Sequence, residues 1–264
     1  MSELGFRKKL VYKFFPFNLD EVGIVHTLIG RQKGTMLDVG AHWGNSLAPF
    51  LQDGWTVYAF EPDPANRAVL NSRHPGARVD ARAISEKDGE TVSLFTSDVS
   101  TGISTLSPFH PSHEATTQVQ TVRLDTFIAE RGIDTVDFIK TDVEGLDLFV
   151  LRTFPWERLH PKAVVCEFED NKTTRLGYTV HDTAQFLADK GYAVVVSQWE
   201  PVVEYGRNHT WSQFKHYPAD VPGNCHGNLI AVQPQLLDSL DRTCAAAARK
   251  DQLRRKTERL LRIS

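Results

Sequence analysis

The sequence predicts an α/β protein built on one largely parallel sheet covered on both faces. Two observations carry this. Short apolar runs recur at 35–39, 56–61, 78–81, 136–141, 163–168, 192–197 and 228–232, with helical stretches between most of them. The first run also enters a glycine-containing turn, MLDVGAHWG at 36–44. Continuous apolar strands joined through helices are what a doubly covered sheet requires. A chain of 264 residues suits one large core with decorations.

Composition narrows the function classes. Hydrophobic residues at 41% and charged residues at 24% are ordinary for a globular protein and give disorder no support. A net charge of -3 and a pI near 6.4 argue against a nucleic-acid partner, which selects a basic surface. Cys166, Cys225 and Cys244 are widely spaced, with no CxxC pair, which suits a reducing compartment. No apolar run reaches bilayer-spanning length, and MSELGFRKKL lacks a secretory apolar core, so a cytoplasmic location is expected.

Taken in order, residues 6–17, FRKKLVYKFFPF, mix basic and aromatic side chains and read as an arm packed across the core or, alternatively, as a membrane-surface contact. A helix over 19–29 follows, with Asn18 as its cap. The strand at 35–39 carries Asp38 into a turn where Gly40 and Gly44 permit a tight bend, and a helix is expected over 45–51. The next strand, WTVYAFEP, closes on Glu61, a carboxylate placed to accept hydrogen bonds from ribose hydroxyls. Ala41 stands where a dinucleotide fold keeps its middle glycine for a pyrophosphate. A nucleoside cofactor without phosphate, S-adenosylmethionine (SAM), fits this pattern better.

Two insertions interrupt the alternation. TVSLF at 91–95 and TQVQTVRL at 117–124 show period-two patterning and predict an antiparallel hairpin. Their connection holds Ser97, Ser100, Thr101, Gly102, Ser104, Thr105, His110 and His113, and its length marks a functional or mobile loop. Residues 198–227 carry Trp199, Tyr205, Trp211, Phe214 and Tyr217, either a substrate-facing wall or a satellite cluster anchoring the loop. From 234 onward the alanine-rich, charged chain predicts a helix with a weak apolar face at Leu240, Ala247 and Leu260, loosely docked or exposed, whose basic end is a candidate for self-association.

The second strong motif is the apolar strand VDFIK running into Thr141, Asp142, Val143, Glu144 and Gly145. In an open α/β sheet ligands bind beyond the carboxyl ends of strands, so adjacent strands ending at Asp38 and Asp142 would overlook one crevice. Through LDVGAHWG, FEPDPANRAVL, ARAISEKDG, VRLDTFI and above all DFIKTDVEGLDLFVL, the chain resembles the FkbM family of SAM-dependent methyltransferases over residues 35 to about 232. The resemblance implies a class I methyltransferase fold, Rossmann-like, with a seven-stranded sheet whose last strand is antiparallel. It also implies an O-methyltransferase acting on a sugar, glycan or natural product. Thr141 and Asp147 depart from the family's usual hydrophobic residue and glutamate, which bears on substrate more than on activity. The expected organisation is an N-terminal arm and helix over 1–34, a methyltransferase domain over 35–233 and a C-terminal basic helix over 234–264.

By resemblance and position, Asp38, Gly40, Ala41 and Gly44 hold the methionine end of the cofactor and Glu61 its ribose. His42 either faces the ligand or is an exposed turn residue; Pro62 shapes the strand exit; Arg82 and Ala83 are candidates to flank the adenine, with a surface ion pair as the other reading of Arg82. Methyl transfer is an in-line displacement that needs alignment, and a hydroxyl acceptor needs a base. Asp142 leads as base, with helix capping as its other reading; Glu144 has the same ambiguity, and Glu167 adds a carboxylate at the next strand tip. Glu167, Glu169 and Asp170 offer hard oxygen ligands for a divalent metal such as magnesium, or acceptors for a polyhydroxylated substrate, but no spacing demands a metal. His209, His216 and His226 are a fallback source of base. Competing readings are a noncatalytic SAM-fold binding or assembly module and an N-methyltransferase; TDVEG in place of an NPPY-like turn favours oxygen. The expected partner is a small-molecule or glycan hydroxyl acceptor, and a homo-oligomer stays open.

Overall fold

A computed structural model describes residues 19–205 and 209–261. The arm at 6–17 and Asn18, the expected cap of the helix that follows, lie outside the described residues. The strands are β1 (Thr35–Val39), β2 (Thr56–Phe60), β3 (Arg78–Asp80), β4 (Ala83–Ile84), β5 (Thr91–Thr96), β6 (Glu114–Val122), β7 (Phe138–Thr141), β8 (Ala163–Glu169), β9 (Ala193–Trp199), β10 (Trp211–His216) and β11 (His226–Val232). The helices are α1 (Glu21–Ile29), α2 (Ala48–Gln52), α3 (Pro64–Arg73), α4 (Leu124–Glu130), α5 (Asp147–Arg152), α6 (Asp170–Thr173), α7 (Val180–Asp189) and α8 (Leu237–Leu261).

The main sheet runs β10-β9-β11-β8-β7-β1-β2-β3. β1 is parallel to β2 and β7, β7 to β8, and β2 to β3, whereas β11 is antiparallel to both β8 and β9. This is the class I methyltransferase arrangement, with strand order reversing beside β1, so the tips of β1, β2 and β7 share one edge where a ligand can sit. The expected count of seven is exceeded by β10. The second insertion returns as an antiparallel edge strand on β9, and its Trp211 is buried. The predicted hairpin forms from β5 and β6, in register Val92 to Val119, and β4 joins β6 in parallel as a separate three-stranded sheet.

Alternation along the strands creates two hydrophobic layers. Leu37 and Val39 of β1 join the layer under α4, α5 and α7, and Met36 joins the opposite layer with α1, α2, α3 and α8. The first helix starts at Glu21, and Asp20 caps it by accepting from the Gly23 amide at 2.9 Å. After the β1 turn the helix begins only at Ala48, with Pro49 in its first turn. The C-terminal helix is docked more firmly than its sequence suggests: Leu240 and Cys244 are buried against the α1 layer, while Leu260 is exposed.

Candidate functional site

The turn after β1 rises beside the turn after β7. Gly40 has φ 77°, and a Cβ there would lie 1.9 Å from the Asp142 carbonyl oxygen, so glycine is required by both conformation and contact. Among the described residues, the non-glycine residues at positive φ are His42 (48°) and Glu144 (59°), one in each of these two turns. Backbone in this region costs about 1–3 kcal/mol for an ordinary side chain and marks turns held by their surroundings. The His42 turn is held by Glu61: the His42 amide donates to Glu61 Oε2 at 2.7 Å and the Asp63 amide to Oε1 at 2.9 Å. Glu61 is buried, and burial pushes its carboxyl up to about 7 despite those two donors.

Glu61 and Asp142 face one cavity, whose apolar wall includes Phe60, Ala83, Ile84 and Leu94. Pro62 and His42 also line it, and Thr101, Ser104, Thr105 and Leu106 close it from the long β5–β6 connection. His42 is half-buried, its ring lies on Trp43 at 4.5 Å, and its Nε2 is 3.0 Å from Thr101 Oγ1. Burial, with the nearby Lys140 charge, lowers the His42 pKa and so favours the neutral imidazole. A second cavity opens on the other side of the Gly40 turn, and Gly40, His42 and Asp142 border both.

Three of the expected contact residues are placed differently from expectation. Asp38 lines neither cavity; it is fully buried, accepts from Ser46 Oγ at 2.6 Å and pairs with Lys140 Nζ at 3.4 Å. Gly44 also lines neither, because its left-handed turn packs against Leu70 and His74. Arg82 lines neither cavity. Its guanidinium pairs with Asp80 at 3.0 Å and Glu130 at 2.9 Å and lies over Phe127, which is the ion-pair reading.

Lys140 is the main site residue that the sequence motifs do not single out. It sits opposite Asp38 in the β1–β7 register, is buried, and donates to the Gly40 carbonyl at 2.6 Å, with Asp142 3.5 Å away. Burial opposes its charge, but Asp38 and Asp142 outweigh burial and raise its pKa. Its signal lies in the strand DFIKT, where a lysine interrupts an otherwise apolar run beside an acid.

Asp142, Glu144 and Glu167 place carboxylate oxygens within 4.8 Å of one another. Asp142 is the open member, with 42% of its side chain exposed. It does not cap α5, whose N-cap position is Leu146 with no side-chain cap; Asp147, the first helical residue, instead braces the preceding turn by accepting from the Val143 and Gly145 amides at 3.3 and 3.4 Å. Glu144 is buried and paired with Lys172, whose Nζ lies 2.5 Å from Glu144, 2.8 Å from Glu169 and 3.4 Å from Glu167. Phe109 and Tyr205, one from each insertion, flank the same ammonium at 5.0 and 5.6 Å. Lys172 thus supplies the positive charge among acids that a divalent ion would otherwise offer. Burial pushes Glu144 up to about 7 and Asp147 up to about 6, and holds Glu167 well above the usual carboxylate range.

The remaining candidates separate. Tyr205 donates to Glu169 at 2.8 Å, whereas Trp199, Trp211 and Phe214 pack as an anchoring cluster. His209 stacks edge-on with His226 at 4.9 Å beside the Glu169–Lys172 pair, and burial takes His226 down to about 4. His216 lies on the outer strand against Asp241 of α8 at 3.1 Å, away from the acidic tips.

The methyltransferase FkbM domain matches residues 38–194, more than half of the chain. The chain belongs to the FkbM methyltransferase family. It is a SAM-dependent methyltransferase. The 31-O-demethyl-FK506 methyltransferase FkbM of Streptomyces tacrolimicus is 28% identical over 219 residues, covering 68% of this chain and 80% of that protein. Solved structures include a precorrin-6y C5,15-methyltransferase from Geobacter metallireducens, with TM-score 0.42, 12% identity and coverage of 84% of this chain and 95% of that one. Another is the Burkholderia thailandensis 1,6-didemethyltoxoflavin-N1-methyltransferase with S-adenosylhomocysteine bound, with TM-score 0.38, 18% identity and coverage of 81% and 76%. No helix among the described residues is long and apolar enough to cross a membrane.

Proposed function

We propose that this FkbM-family enzyme transfers the SAM methyl group to a hydroxyl of a sugar, glycan or natural product. The observation that carries the reading is the convergence of Glu61 and Asp142, at the tips of β2 and β7 on either side of β1, on one cavity. Glu61 accepts from the ribose hydroxyls, and the apolar wall of Ala83 and Ile84 receives the adenine. The sulfonium then lies towards the Gly40 turn and Asp142, where nearby carboxylates favour a cation.

Asp142 is the base in this reading. It is exposed enough to reach an acceptor, while Glu144 is committed to Lys172 and Glu167 shares the same ammonium. An alcohol is a weak nucleophile at neutral pH, so removal of its proton as the carbon–oxygen bond forms assists the displacement. The methyl carbon passes from sulfur to oxygen, the electron pair of the breaking bond returns to sulfur, and the alcohol proton goes to Asp142. The acid-rich rim also suits a polyhydroxylated acceptor. The 31-O-demethyl name of the Streptomyces relative supports oxygen as the acceptor atom.

The test is incubation with methyl-labelled SAM and a panel of sugars, nucleotide sugars and hydroxylated macrolides, with matched amines. Label recovered in a base-stable ether is the expected result. Transfer confined to amines contradicts the O-methylation reading.

A further inference from the structure

Helix α8 segregates its charges. Its acids beyond the first turn are engaged: Asp241 with His216, Asp251 with Arg254 and Arg255, and Glu258 with Arg254. Arg255 also donates to the Trp211 carbonyl, which holds this stretch against β10. The exposed positions of α8 beyond Asp241 include Arg249, Lys250, Lys256 and Arg259 and no acid. Among the described residues, none of these four cations is paired with a carboxylate. The whole chain carries a net charge of -3, so this cationic face is a local feature and does not reflect composition.

Apolar groups sit among the cations. Arg249, Leu253, Lys256 and Leu260 follow one another at steps of four, three and four residues, which lines them up as one stripe along the helix. Leu253 is 52% exposed and Leu260 74%, and Lys256, Arg259 and Leu260 border one surface depression. The sequence at 6–17 repeats the chemistry, with Arg7, Lys8, Lys9 and Lys13 interleaved with aromatic and aliphatic residues. That sequence leads to Leu19 and Asp20, which border a groove together with Lys250 and Arg254 of α8.

A partner for this stripe must offer negative charge and an apolar layer together. A second copy meeting it face to face would set cation against cation. A nucleic acid answers the cations with phosphates but leaves the leucines unmatched. An anionic bilayer answers both: its phosphates meet the Lys and Arg heads while the leucines and the alkyl stems of those cations reach the acyl boundary.

We propose that the exposed stripe of α8 docks this enzyme peripherally onto an anionic phospholipid surface. The contact is mainly electrostatic, with Leu253 and Leu260 as shallow apolar anchors, and it is independent of the identity of the methyl acceptor.

The experiment is co-sedimentation of the intact chain with phosphatidylcholine vesicles, with and without about one-third phosphatidylglycerol. The anionic vesicles should bind the enzyme at least about tenfold more strongly than the neutral ones, and raising the salt from about 0.1 M to about 0.5 M should remove most of that advantage. The triple variant Arg249→Glu, Lys256→Glu, Arg259→Glu should lose roughly tenfold or more in vesicle binding, and Leu253→Ser with Leu260→Ser about threefold or more. Unchanged circular-dichroism melts and S-adenosylhomocysteine affinity show that both variants are folded. Equal binding to neutral and anionic vesicles overturns the proposal, as does a folded triple variant that keeps the wild-type partition. Two further outcomes overturn it by giving the face to another partner: a single-stranded oligonucleotide bound through the three cations while vesicles are not, and a wild-type oligomer that the triple variant dissociates while vesicles are not bound.

Discussion

The backbone amide of His42 donates to Glu61 Oε2 at 2.7 Å, which joins the turn after β1 to the acid at the tip of β2. One carboxylate therefore braces the turn after β1 and presents its remaining acceptor capacity to the cavity. Loss of Glu61 should remove ribose recognition and loosen the turn together.

Glu61→Ala is expected to weaken S-adenosylhomocysteine binding by roughly 10- to 100-fold, the range given by about 1.5–3 kcal/mol for hydrogen bonds to a charged group. The fold should persist, because the surrounding strands keep their pairing. Calorimetry with a parallel circular-dichroism melt checks both halves, and unchanged affinity contradicts the ribose role.

Cofactor binding should release protons near neutral pH. Burial lifts the Glu61 carboxyl to about 7, and ribose donors favour its ionised form, so binding moves that pKa down. Calorimetry at pH 7 in buffers of different ionisation enthalpy measures the proton count. Wild type should release a fraction of a proton and Glu61→Ala less; equal release by the two contradicts the linkage.

The ligand-free enzyme should lose stability as pH rises from about 4.5 to 7. Glu61 and Glu144 are raised to about 7 and Asp147 to about 6, so across this window the folded state holds protons that the unfolded chain has released. Stability falls with rising pH wherever the folded state binds more protons, and each tenfold gain in one group's proton affinity on folding is worth about 1.4 kcal/mol. The lowered pKa values of Asp80, Asp125 and Asp182 act oppositely at lower pH, and those of His42, His113, His209 and His226 act oppositely within the window, against the raised carboxyls of Glu21, Glu61, Glu144, Asp147, Glu167 and Asp170. Thermal unfolding from pH 4.5 to 8 tests the sign, and a melting temperature that climbs steadily across the range contradicts it.

Asp142→Asn should lower methyl transfer by about 100-fold or more, the usual contribution of a general base. Cofactor affinity should change much less. Turnover is measured with the acceptor identified by methyl labelling, alongside S-adenosylhomocysteine binding; normal turnover removes Asp142 from the role.

Lys172→Met should destabilise the protein by about 3–5 kcal/mol, because it strips the counter-ion from a buried acidic group. Glu144 and Glu169 lose their short ion pairs, and the two insertions lose the ammonium between Phe109 and Tyr205. Denaturant unfolding gives the value, and a change below about 1 kcal/mol, the size of an exposed pair, means that the cluster is already neutralised without Lys172.

Much of this architecture is written locally. The strand at 35–39 and the acid ending at Glu61 are legible because an apolar run, a glycine turn and a tip carboxylate are contiguous. Asp142, Glu144 and Glu167 are legible for the same reason, the first two lying just beyond the end of β7 and Glu167 among the last three residues of β8. Pairings across long separations are less visible. Lys172 meets Glu144 28 residues away only because α6 folds back over the β7 turn. For Arg82 an ion pair is one of the two readings open in sequence, but its partner Glu130, 48 residues on, is not visible there. The edge strand β10 is hidden inside an aromatic loop because WSQFKH alternates weakly, and its place is set by pairing with β9.

The most direct test is a crystal structure of the enzyme with S-adenosylhomocysteine. The account predicts ribose hydroxyls on the Glu61 carboxylate and sulfur at the border between the cavities, beside Asp142. A ligand bound with its ribose away from Glu61, or its sulfur remote from Asp142, contradicts it.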